Sequence, residues 1–333
     1  MPSEFDLIAR YFTRPTTHSV LGVGDDGALV RPAAGRELVI STDMLVSGIH
    51  FLPDTDPNAL GWKTLAVNVS DMAAMGAEPR WALLAAALPA ERARDETWIA
   101  AFADGFFACA DAFDIDIIGG DTTHGALNFC VTIFGEVAAG QALRRSGAQN
   151  GDEIWVSGTP GLAALGLAHL QGRCALPTAH QIPCLAALHR PQPRVALGCA
   201  LAQQQLANAA IDISDGLLAD LGHILTHSRH TATLQLPHMP QAALHCGIDP
   251  TLAQQCLLAG GDDYELLFTA PAEHHNALNA LSQQLDLTLT CIGRIERTER
   301  TERSATGAAG KLQLLDAQGN DVTPDKRGYD HFA

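Results

Sequence analysis

Apolar residues in the first half of the chain form short strand-like runs that alternate with longer segments of helical spacing. The predicted strands cover 37–43, 81–88, 116–118 and 127–137, and the predicted helices cover 58–75 and 96–113. The run 127–137 alternates in part between apolar and polar residues, which suits a sheet with one wetter face. This order predicts an α/β unit.

The second half repeats the α/β pattern. Strands are predicted at 153–157, 210–213, 264–269 and 287–295, and helices at 162–170, 194–206, 217–225 and 273–285. Between the halves, SGAQNGD at 146–152 is rich in turn residues. A chain of 333 residues exceeds the usual size of one domain. We therefore predict two domains, residues 1–146 and 147–333.

Neither a membrane span nor a secretion signal is indicated. The longest uncharged apolar stretch, Trp81 to Ala90, is about half of the roughly 20 residues that a span needs. The N-terminal segment carries Glu4 and Asp6 where a signal peptide would be positively charged. We expect a cytoplasmic protein.

The charge of the chain restricts its partners. The net charge is −16, and the three lysines are Lys63, Lys311 and Lys326, so no basic stripe is available for a nucleic-acid backbone. Carboxylates repel phosphate, so an acidic protein that binds phosphorylated ligands needs cations as intermediaries. The eight cysteines include no C-x-x-C pair and lie mostly in apolar runs, which predicts reduced core thiols.

Acidic residues recur at turns and at the ends of predicted strands. They are Asp25 and Asp26 in GVGDDG, Asp43 in ISTD, Asp121 in IIGGDTT, Asp212 and Asp215 in IDISDG, and Asp262 and Asp263 in GGDDYE. Any one of them has a structural explanation, since aspartate favours turns and caps helices. So many together indicate function, because α/β proteins place functional residues at strand ends.

Asp71 strengthens the functional interpretation, because it lies within an apolar helix, on the same face as Asn68. A buried aspartate without a partner is costly, and converging carboxylates raise one another's pKa unless a divalent cation binds among them. Oxygen ligands favour magnesium, calcium or manganese. Magnesium also bridges carboxylates to substrate phosphates, so we predict magnesium sites at these acids.

Two patterns suggest other chemistry and are set aside. GVGDDG matches the dinucleotide fingerprint G-x-G-x-x-G, but its two carboxylates would face the pyrophosphate. The following segment, ALVRPAAGRELVIS, contains Pro32 and indicates a hairpin rather than a helix. His223, His227 and His230 have helical spacing without the glutamate of H-E-x-x-H, so we interpret them as a solvent-facing row.

No P-loop and no protein-kinase motif set occurs in the chain, so metals are expected to bind the phosphates. The charged run ERTERTER at 296–303 is interpreted as a solvated loop or sheet edge.

In order along the chain, the motifs resemble those of the thiamine-monophosphate kinase family, within the aminoimidazole-ribonucleotide-synthetase-like superfamily. The resemblance rests on GVGDDGALV (22–30), STDMLVSGIHF (41–51), WKTLAVNVSDMAAMGAEP (62–79), IIGGDTT (117–123), RRSGA (144–148), AIDISDGLLADLGHI (210–224), GGDDYELLF (260–268) and GYDHF (328–332). It covers nearly the whole chain.

The resemblance implies an α+β, two-domain architecture. Its N-terminal domain binds ATP and metal and pairs its sheet with that of a second copy in a homodimer, and its C-terminal α/β sandwich completes the active-site cleft. It also implies that ATP phosphorylates thiamine monophosphate directly, giving thiamine diphosphate and ADP, with several Mg²⁺ ions bound. This reaction is the last step of thiamine diphosphate biosynthesis.

The resemblance further assigns residue roles. The metal ligands would be Asp26, Ser41, Thr42, Asp43, Asp71, Asp121, Asp212 and Asp215. Of these, Asp26, Asp71, Asp121 and Asp212 would be catalytic. ATP would contact Gly120, Asp121, Arg145 and Ser214, and thiamine monophosphate would contact His50, Asp262 and Tyr329.

The chemistry of these side chains agrees with the roles. Arg145 can bind phosphate oxygens in bidentate fashion, and Tyr329 can stack on a substrate ring. His50 can donate to the substrate phosphate, although a histidine beside Phe51 is also typical of a turn or core. The family often has glutamate where this chain has Asp262, one methylene shorter.

Two alternatives stay open at this point. One is a related ATP-dependent synthetase with the same aspartates and another acceptor. The other is a noncatalytic protein that binds metal or nucleotide and keeps the acids for stability.

Overall fold

The computed structural model describes residues 4–297 and 311–329. The chain forms two compact units, which consist of residues 1–72 with 77–140 and of residues 73–76 with 141–333. From residue 141 onward the chain belongs to the second unit, so the predicted domain boundary at residue 146 lies a few residues later. Within the described part of the chain, no helix combines the length and the hydropathy that a membrane crossing requires.

The first unit is built on a four-stranded sheet. Its elements, in chain order, are α1 (Glu4–Leu7), β1 (Ser19–Leu21), β2 (Leu29–Val30), β3 (Arg36–Val46), α2 (Pro57–Ala74), β4 (Glu78–Leu88), α3 (Ala90–Ala93), α4 (Glu96–Ala112), β5 (Asp116–His124) and β6 (Asn128–Ala138). The strand order is β3-β6-β4-β5, in which β4 and β5 are parallel and the other pairs are antiparallel. β1 and β2 pair separately.

One face of this sheet is packed against helices, and the other exposes apolar side chains. On one face Phe129 of β6 stacks on Phe102 of α4, with ring centroids 4.3 Å apart. On the other face Leu38, Ile40 and Met44 of β3 are 40%, 59% and 54% exposed. We call this second side, marked by Leu38, Ile40 and Met44, the open face. Its exposed apolar side chains are typical of an interaction surface.

The second unit has a six-stranded sheet with helices on both faces. Its elements are β7 (Glu153–Ser157), α5 (Leu162–Leu170), α6 (Thr178–His189), α7 (Val195–Gln203), β8 (Ala209–Asp212), α8 (Leu217–Ser228), β9 (His230–Gln235), α9 (Pro250–Ala259), β10 (Leu266–Ala270), α10 (His275–Leu285), β11 (Leu289–Arg297) and β12 (Leu312–Leu315). The strand order is β12-β9-β11-β7-β10-β8, and β12 runs parallel to β9.

The central strand β7 shows why this sheet is covered twice. All five of its residues are buried. Ile154 and Val156 join a core with α8, whereas Trp155 joins a second core with α7 and α10. A strand that is apolar on both faces needs a helical layer on each side. The α/β sandwich that the resemblance implied for the C-terminal half is therefore present.

Every strand and helix predicted from the hydrophobic pattern is present, and those at 153–157 and 162–170 match to the residue. The pattern missed α6, which contains Pro183, as well as the elements α1, β1, α3, α9, β9 and β12. The hairpin expected at 28–41 is wrong, because β2 pairs with β1 and β3 pairs with β6. Of the run 296–303, residues 296 and 297 end β11, and the rest lies outside the described residues.

The prediction of unpaired thiols is confirmed, since all eight cysteines are free, but only four of them are buried in the core. Burial raises the pKa of the Cys184 thiol to about 12. Such a thiol stays protonated and is chemically inert at neutral pH.

Asp116 fastens the start of β5 to the segment before β1. Its buried carboxylate accepts the N–H groups of Thr17 at 2.8 Å, His18 at 2.6 Å and Ser19 at 2.9 Å, and the Thr17 hydroxyl at 3.2 Å. Burial alone would raise the pKa of Asp116, but these hydrogen bonds lower it below the ordinary value of 3.8.

We expect Asp116→Asn to lower the free energy of unfolding by about 2–4 kcal/mol at pH 7, because one acceptor oxygen and the charge are lost. A group whose pKa is lowered by folding stabilises the protein above its unfolded pKa, and this stability is lost as pH falls through the folded pKa. The difference between wild type and variant in urea unfolding should therefore shrink below pH 3.8. A difference that stays constant from pH 7 to pH 3 would contradict this role.

Gly120 allows β5 to run close beside β4. A Cβ at this position would lie 1.8 Å from the carbonyl oxygen of Leu84, and its φ is +150°. We expect Gly120→Ala to separate the two strands and to lower the free energy of unfolding by more than about 3 kcal/mol. Gly27→Ala is the matched control, since its Cβ would meet nothing within 4 Å. Equal melting temperatures for the two variants would refute the close approach.

Candidate functional site

In the loop after β8, residues 213–216, every backbone N–H and carbonyl group forms a hydrogen bond within the second unit. Three N–H groups, those of Ser214, Asp215 and Gly216, donate to Oδ2 of Asp220 at 3.1, 3.2 and 3.0 Å. The N–H of Ile213 donates to the carbonyl of Glu265 at 2.8 Å. The loop therefore has a fixed backbone that can carry precisely placed side chains.

The carbonyl groups of the same loop bind segments distant in sequence. The carbonyls of Ile213 and Ser214 accept the N–H groups of Tyr264 at 2.9 Å and Asp262 at 2.8 Å. The carbonyl of Asp215 accepts the N–H of Tyr329 at 3.0 Å. The carbonyl of Gly216 accepts the N–H of Asp220 at 2.9 Å. Predicted nucleotide, metal and acceptor residues are thus brought together around one loop.

Asp220 lies in the first turn of α8 and is 2% exposed. Burial raises the pKa of Asp220 to about 7, and the nearby charge of Asp215 acts in the same direction, while the N–H donors oppose the rise. The sequence interpretation did not single out this residue.

Asp215, Asp220 and His223 each offer a ligand atom, and these atoms lie within 4.8 Å of one another. Burial lowers the pKa of His223, and the positive charge of Arg145 adds to the effect. A neutral imidazole beside two carboxylates has the chemistry of a cation site. His223 is exposed, as the interpretation of a solvent-facing histidine row predicted, and the structure also places it next to Asp215.

The predicted ATP ligand Arg145 is exposed and lies in a loop that is fastened to the end of α8. Ser228 Oγ donates to the carbonyl of Arg145 at 3.3 Å and accepts the N–H groups of Gly147 and Ala148 at 3.2 and 3.1 Å. The loop is therefore held at the C-terminal end of α8, where the positive charge of Arg145 acts on His223.

The predicted acceptor residue Asp262 lies in a backbone segment of unusual conformation. Asp262 has φ +66° and Tyr264 has φ +51°, values that non-glycine residues rarely adopt. Between them, both oxygens of Asp263 accept the N–H of Gly161 at 2.9 Å. Next to them, Glu265 is bound by the guanidinium of Arg194 at 2.5 and 2.6 Å. Such strain is often found at functional sites.

In the first unit, four polar residues meet where α2 runs along the edge strand β3. Ser41 Oγ donates to Oδ2 of Asp71 at 2.5 Å, and the N–H of Asp43 donates to Oδ1 of Asn68 at 3.1 Å. Asn68 and Asp71 are three residues apart and face the same strand, as the helical spacing predicted. Hydroxyl and carboxylate oxygens of this kind suit magnesium.

Other predicted ligands lie elsewhere on the first unit. Thr42 points to β6, where its hydroxyl donates to the carbonyl of Val131 at 2.9 Å, away from Ser41 and Asp43. Asp26 lies in an exposed turn between β1 and β2, and its N–H donates to Asp25.

Gly120 and Asp121 lie on β5, at the opposite edge of the sheet from β3. Three strand spacings separate these edges, roughly 14 Å. Asp121 and Asp43 therefore do not bind one ion within a single copy of the sheet.

His50 closes the turn that follows β3. Its Nδ1 accepts the N–H of Val46 at 2.9 Å, and its own N–H donates to the carbonyl of Val46 at 2.9 Å. A neutral imidazole that accepts at Nδ1 carries its proton on Nε2. His50 therefore stabilises this turn. Its Nε2–H tautomer can also donate a hydrogen bond to an anion.

The structure therefore gathers Arg145, Ser214, Asp215, Asp262 and Tyr329 in the second unit, with Asp212 at the end of β8 immediately before the loop. It gathers Ser41, Asp43 and Asp71 in the first unit. The residues that sequence reasoning missed as contributors are Asp220 and His223. The sequence did carry a signal for Asp220, which follows the loop glycine Gly216 by four residues. A carboxylate in the first turn of a helix can accept the N–H groups that precede the helix.

Models of two domain families match this chain. The N-terminal domain of AIR synthase related protein matches residues 24–137, and the C-terminal domain of AIR synthase related protein matches residues 149–305. Together they cover most of the chain.

Individual relatives are similar over nearly full length. The thiamine-monophosphate kinase of Escherichia coli K12 is 45% identical over 99% of this chain and 98% of its own. The crystal structure of thiamine-monophosphate kinase from Stenotrophomonas maltophilia K279a is 44% identical, with a TM-score of 0.80 over 97% of this chain and 95% of that chain. AaThiL complexed with AMPPCP and TMP is 30% identical, with a TM-score of 0.74 over 93% and 92%. The chain therefore belongs to the thiamine-monophosphate kinase family of AIR synthase related proteins.

Proposed function

We propose that this protein transfers the γ-phosphoryl group of ATP to thiamine monophosphate, giving thiamine diphosphate and ADP. The observation that carries the proposal is the 45% identity with the Escherichia coli kinase over nearly full length. The relative solved with AMPPCP and TMP supports the same pair of substrates. The loop 213–216 adds a physical basis, because it holds residues of both predicted binding sites on one backbone.

The nucleotide phosphates are assigned to Arg145, Ser214, Gly120 and Asp121. The exposed guanidinium of Arg145 can donate two parallel N–H groups to phosphate oxygens. Ser214 supplies a hydroxyl from the fixed loop. In the first unit, Gly120 and Asp121 lie on the edge strand β5, and the carboxylate of Asp121 would hold a cation that bridges to the phosphates.

The acceptor is assigned to His50, Asp262 and Tyr329. Nε2–H of His50 can donate to a phosphate oxygen, since Nδ1 is used by Val46. The carboxylate of Asp262 can pair with a cationic thiazolium or a pyrimidine amine. Tyr329 is 49% exposed, so its ring is available for stacking on a substrate ring. The attacking phosphate oxygen then displaces ADP in line, without a phosphoenzyme.

Magnesium fits the donor groups that the structure shows. Asp71 with Ser41 and Asp43, and Asp215 with Asp212, offer hydroxyl and carboxylate oxygens, and Asp26, Thr42 and Asp121 offer further ones. Asp26, Asp71, Asp121 and Asp212 are proposed as the catalytic members. Bound magnesium supplies charge neutralisation of the phosphate oxygens and of the carboxylates around them. The protein side chains fix where that charge is placed.

A homodimer is proposed through the open face of the first unit. Leu38, Ile40 and Met44 expose apolar side chains on a sheet whose other face is covered by helices. A second copy of the same face is self-complementary, as an isologous interface requires. A cytoplasmic location stays a prediction from the sequence.

The acceptor is tested by incubating the protein with ATP, magnesium and thiamine monophosphate and separating the products by chromatography. Equal amounts of thiamine diphosphate and ADP are expected. Free thiamine and aminoimidazole-pathway substrates serve as alternative acceptors in the same assay. Turnover with one of these acceptors instead would indicate a related ATP-dependent synthetase. Nucleotide binding without turnover would indicate a noncatalytic binding protein.

In the same assay, Asp71→Asn is expected to lower kcat at least 100-fold, because a metal-binding oxygen becomes an amide group. The fold should persist, since the amide oxygen can still accept from Ser41. Asp111→Asn is the control, as Asp111 is an exposed acid paired with Arg14. Normal turnover of the Asp71 variant at saturating magnesium would exclude Asp71 from the metal site.

For the dimer, light scattering of wild type should give twice the mass of the 35.2 kDa chain. Ile40→Lys should give the monomer mass, because it buries a charge at the interface. Ile182→Lys is the control, since Ile182 is 78% exposed on the second unit. Dimers of both variants would place the interface elsewhere.

A further inference from the structure

We propose that Asp220 is a positioning residue for phosphoryl transfer, which sets the relative placement of the nucleotide and acceptor residues by holding the backbone of loop 213–216. The inference rests on the proposed function and extends it to a residue that touches neither substrate. It stands on the hydrogen bonds of one buried carboxylate oxygen with three consecutive N–H groups.

These N–H groups lie at the start of α8, where an anion would ordinarily bind. Helix N-termini and runs of successive N–H groups attract phosphate or carboxylate. Here the carboxylate of Asp220, in the first turn of the same helix, takes that place at 3.0–3.2 Å. These three N–H groups are therefore used within the protein and are not available to the phosphates of a substrate.

Besides its N–H groups, the loop also uses its carbonyls in hydrogen bonds. Ser214 and Asp215 use these carbonyls to bind the N–H groups of Asp262 and Tyr329. The left-handed conformation of Asp262 is unfavourable for a non-glycine residue, so it needs such contacts to persist. A shift of Ser214 and Asp215 is thus transmitted to both acceptor residues.

The competing role for Asp220 is that of a metal ligand beside Asp215 and His223. The two roles make opposite demands on the side chain. Positioning needs an oxygen at the site of Oδ2 and tolerates loss of charge, because an amide oxygen also accepts N–H donors. Metal binding needs the negative charge and tolerates a longer side chain better than an amide.

The experiment compares Asp220→Asn with Asp220→Glu. For each variant, kcat, KM for ATP, KM for thiamine monophosphate and the magnesium concentration at half-maximal rate are measured. Asp249→Glu is the matched control. Asp249 caps α9 and accepts the N–H groups of Thr251 and Leu252, so the same added methylene there should cost stability and leave both KM values unchanged.

The positioning role predicts that Asp220→Asn keeps both KM values within about threefold of wild type at an unchanged magnesium requirement. Asp220→Glu should raise both KM values at least tenfold, since its carboxylate is displaced from the three N–H groups. The reverse order, or a tenfold higher magnesium requirement in Asp220→Asn, would overturn the proposal. So would normal kinetics in both variants.

The outcome is separable from that of the proposed function. If wild type makes no thiamine diphosphate, the kinase assignment fails, and the affinity for AMPPCP with magnesium is measured in the same three variants. Weaker binding in Asp220→Glu than in Asp220→Asn still supports positioning by Asp220. Equal affinity in both variants and wild type would reject it.

Discussion

The arrangement of the second unit depends on the hydrogen bonding of loop 213–216. Every N–H and carbonyl of this loop is used, and one buried oxygen of Asp220 accepts three of the N–H groups. A buried polar backbone group without a partner is costly, so the loop has one favourable path through the structure. Segments that contain Asp262 and Tyr329 are fixed by the same loop. The placement of the candidate site therefore follows from backbone hydrogen bonds more than from side-chain packing.

The charge of the chain sets a second constraint. The chain has a net charge of −16, and the residues proposed to bind its phosphorylated substrates include several carboxylates. Direct contact would be repulsive, so cations have to lie between the two sets of oxygens. The first unit offers Asp71 with Ser41 at one edge of its sheet and Asp121 at the other. Their separation agrees with several ions rather than one.

Much of the fold could be predicted from the sequence, because its buried elements have strong local patterns. β7 consists of residues that are all buried, and α8 has a continuous apolar face. Where the pattern was broken, prediction was less successful. α6, which contains Pro183, was not predicted, and the strand predicted at 116–118 continues through the two glycines of IIGGD to His124. Those glycines allow close approach to β4, which only the folded sheet shows.

The sequence identified most of the acidic residues of the candidate site but not how they are arranged in space. Strand ends and turns identified Asp215 and Asp262, since function is often placed there. Asp220 was not recognised, because a first-turn helix acid is usually a solvated residue. His223 was set aside as one of a helical row without the glutamate of H-E-x-x-H. Its neighbour Asp215 is eight residues away and comes close to it only through the turn into α8. The separation of Asp43 from Asp121 depends on strand order, which the hydrophobic pattern does not encode.

Cations are proposed to join this acidic protein to its phosphorylated substrates. The most direct test is the affinity for AMPPCP, measured by calorimetry over a range of magnesium concentrations, with and without thiamine monophosphate. We expect binding to be lost in EDTA and restored by magnesium, with a matching rise in melting temperature when both are present. Tight binding of AMPPCP in EDTA, equal to that in magnesium, would contradict the account.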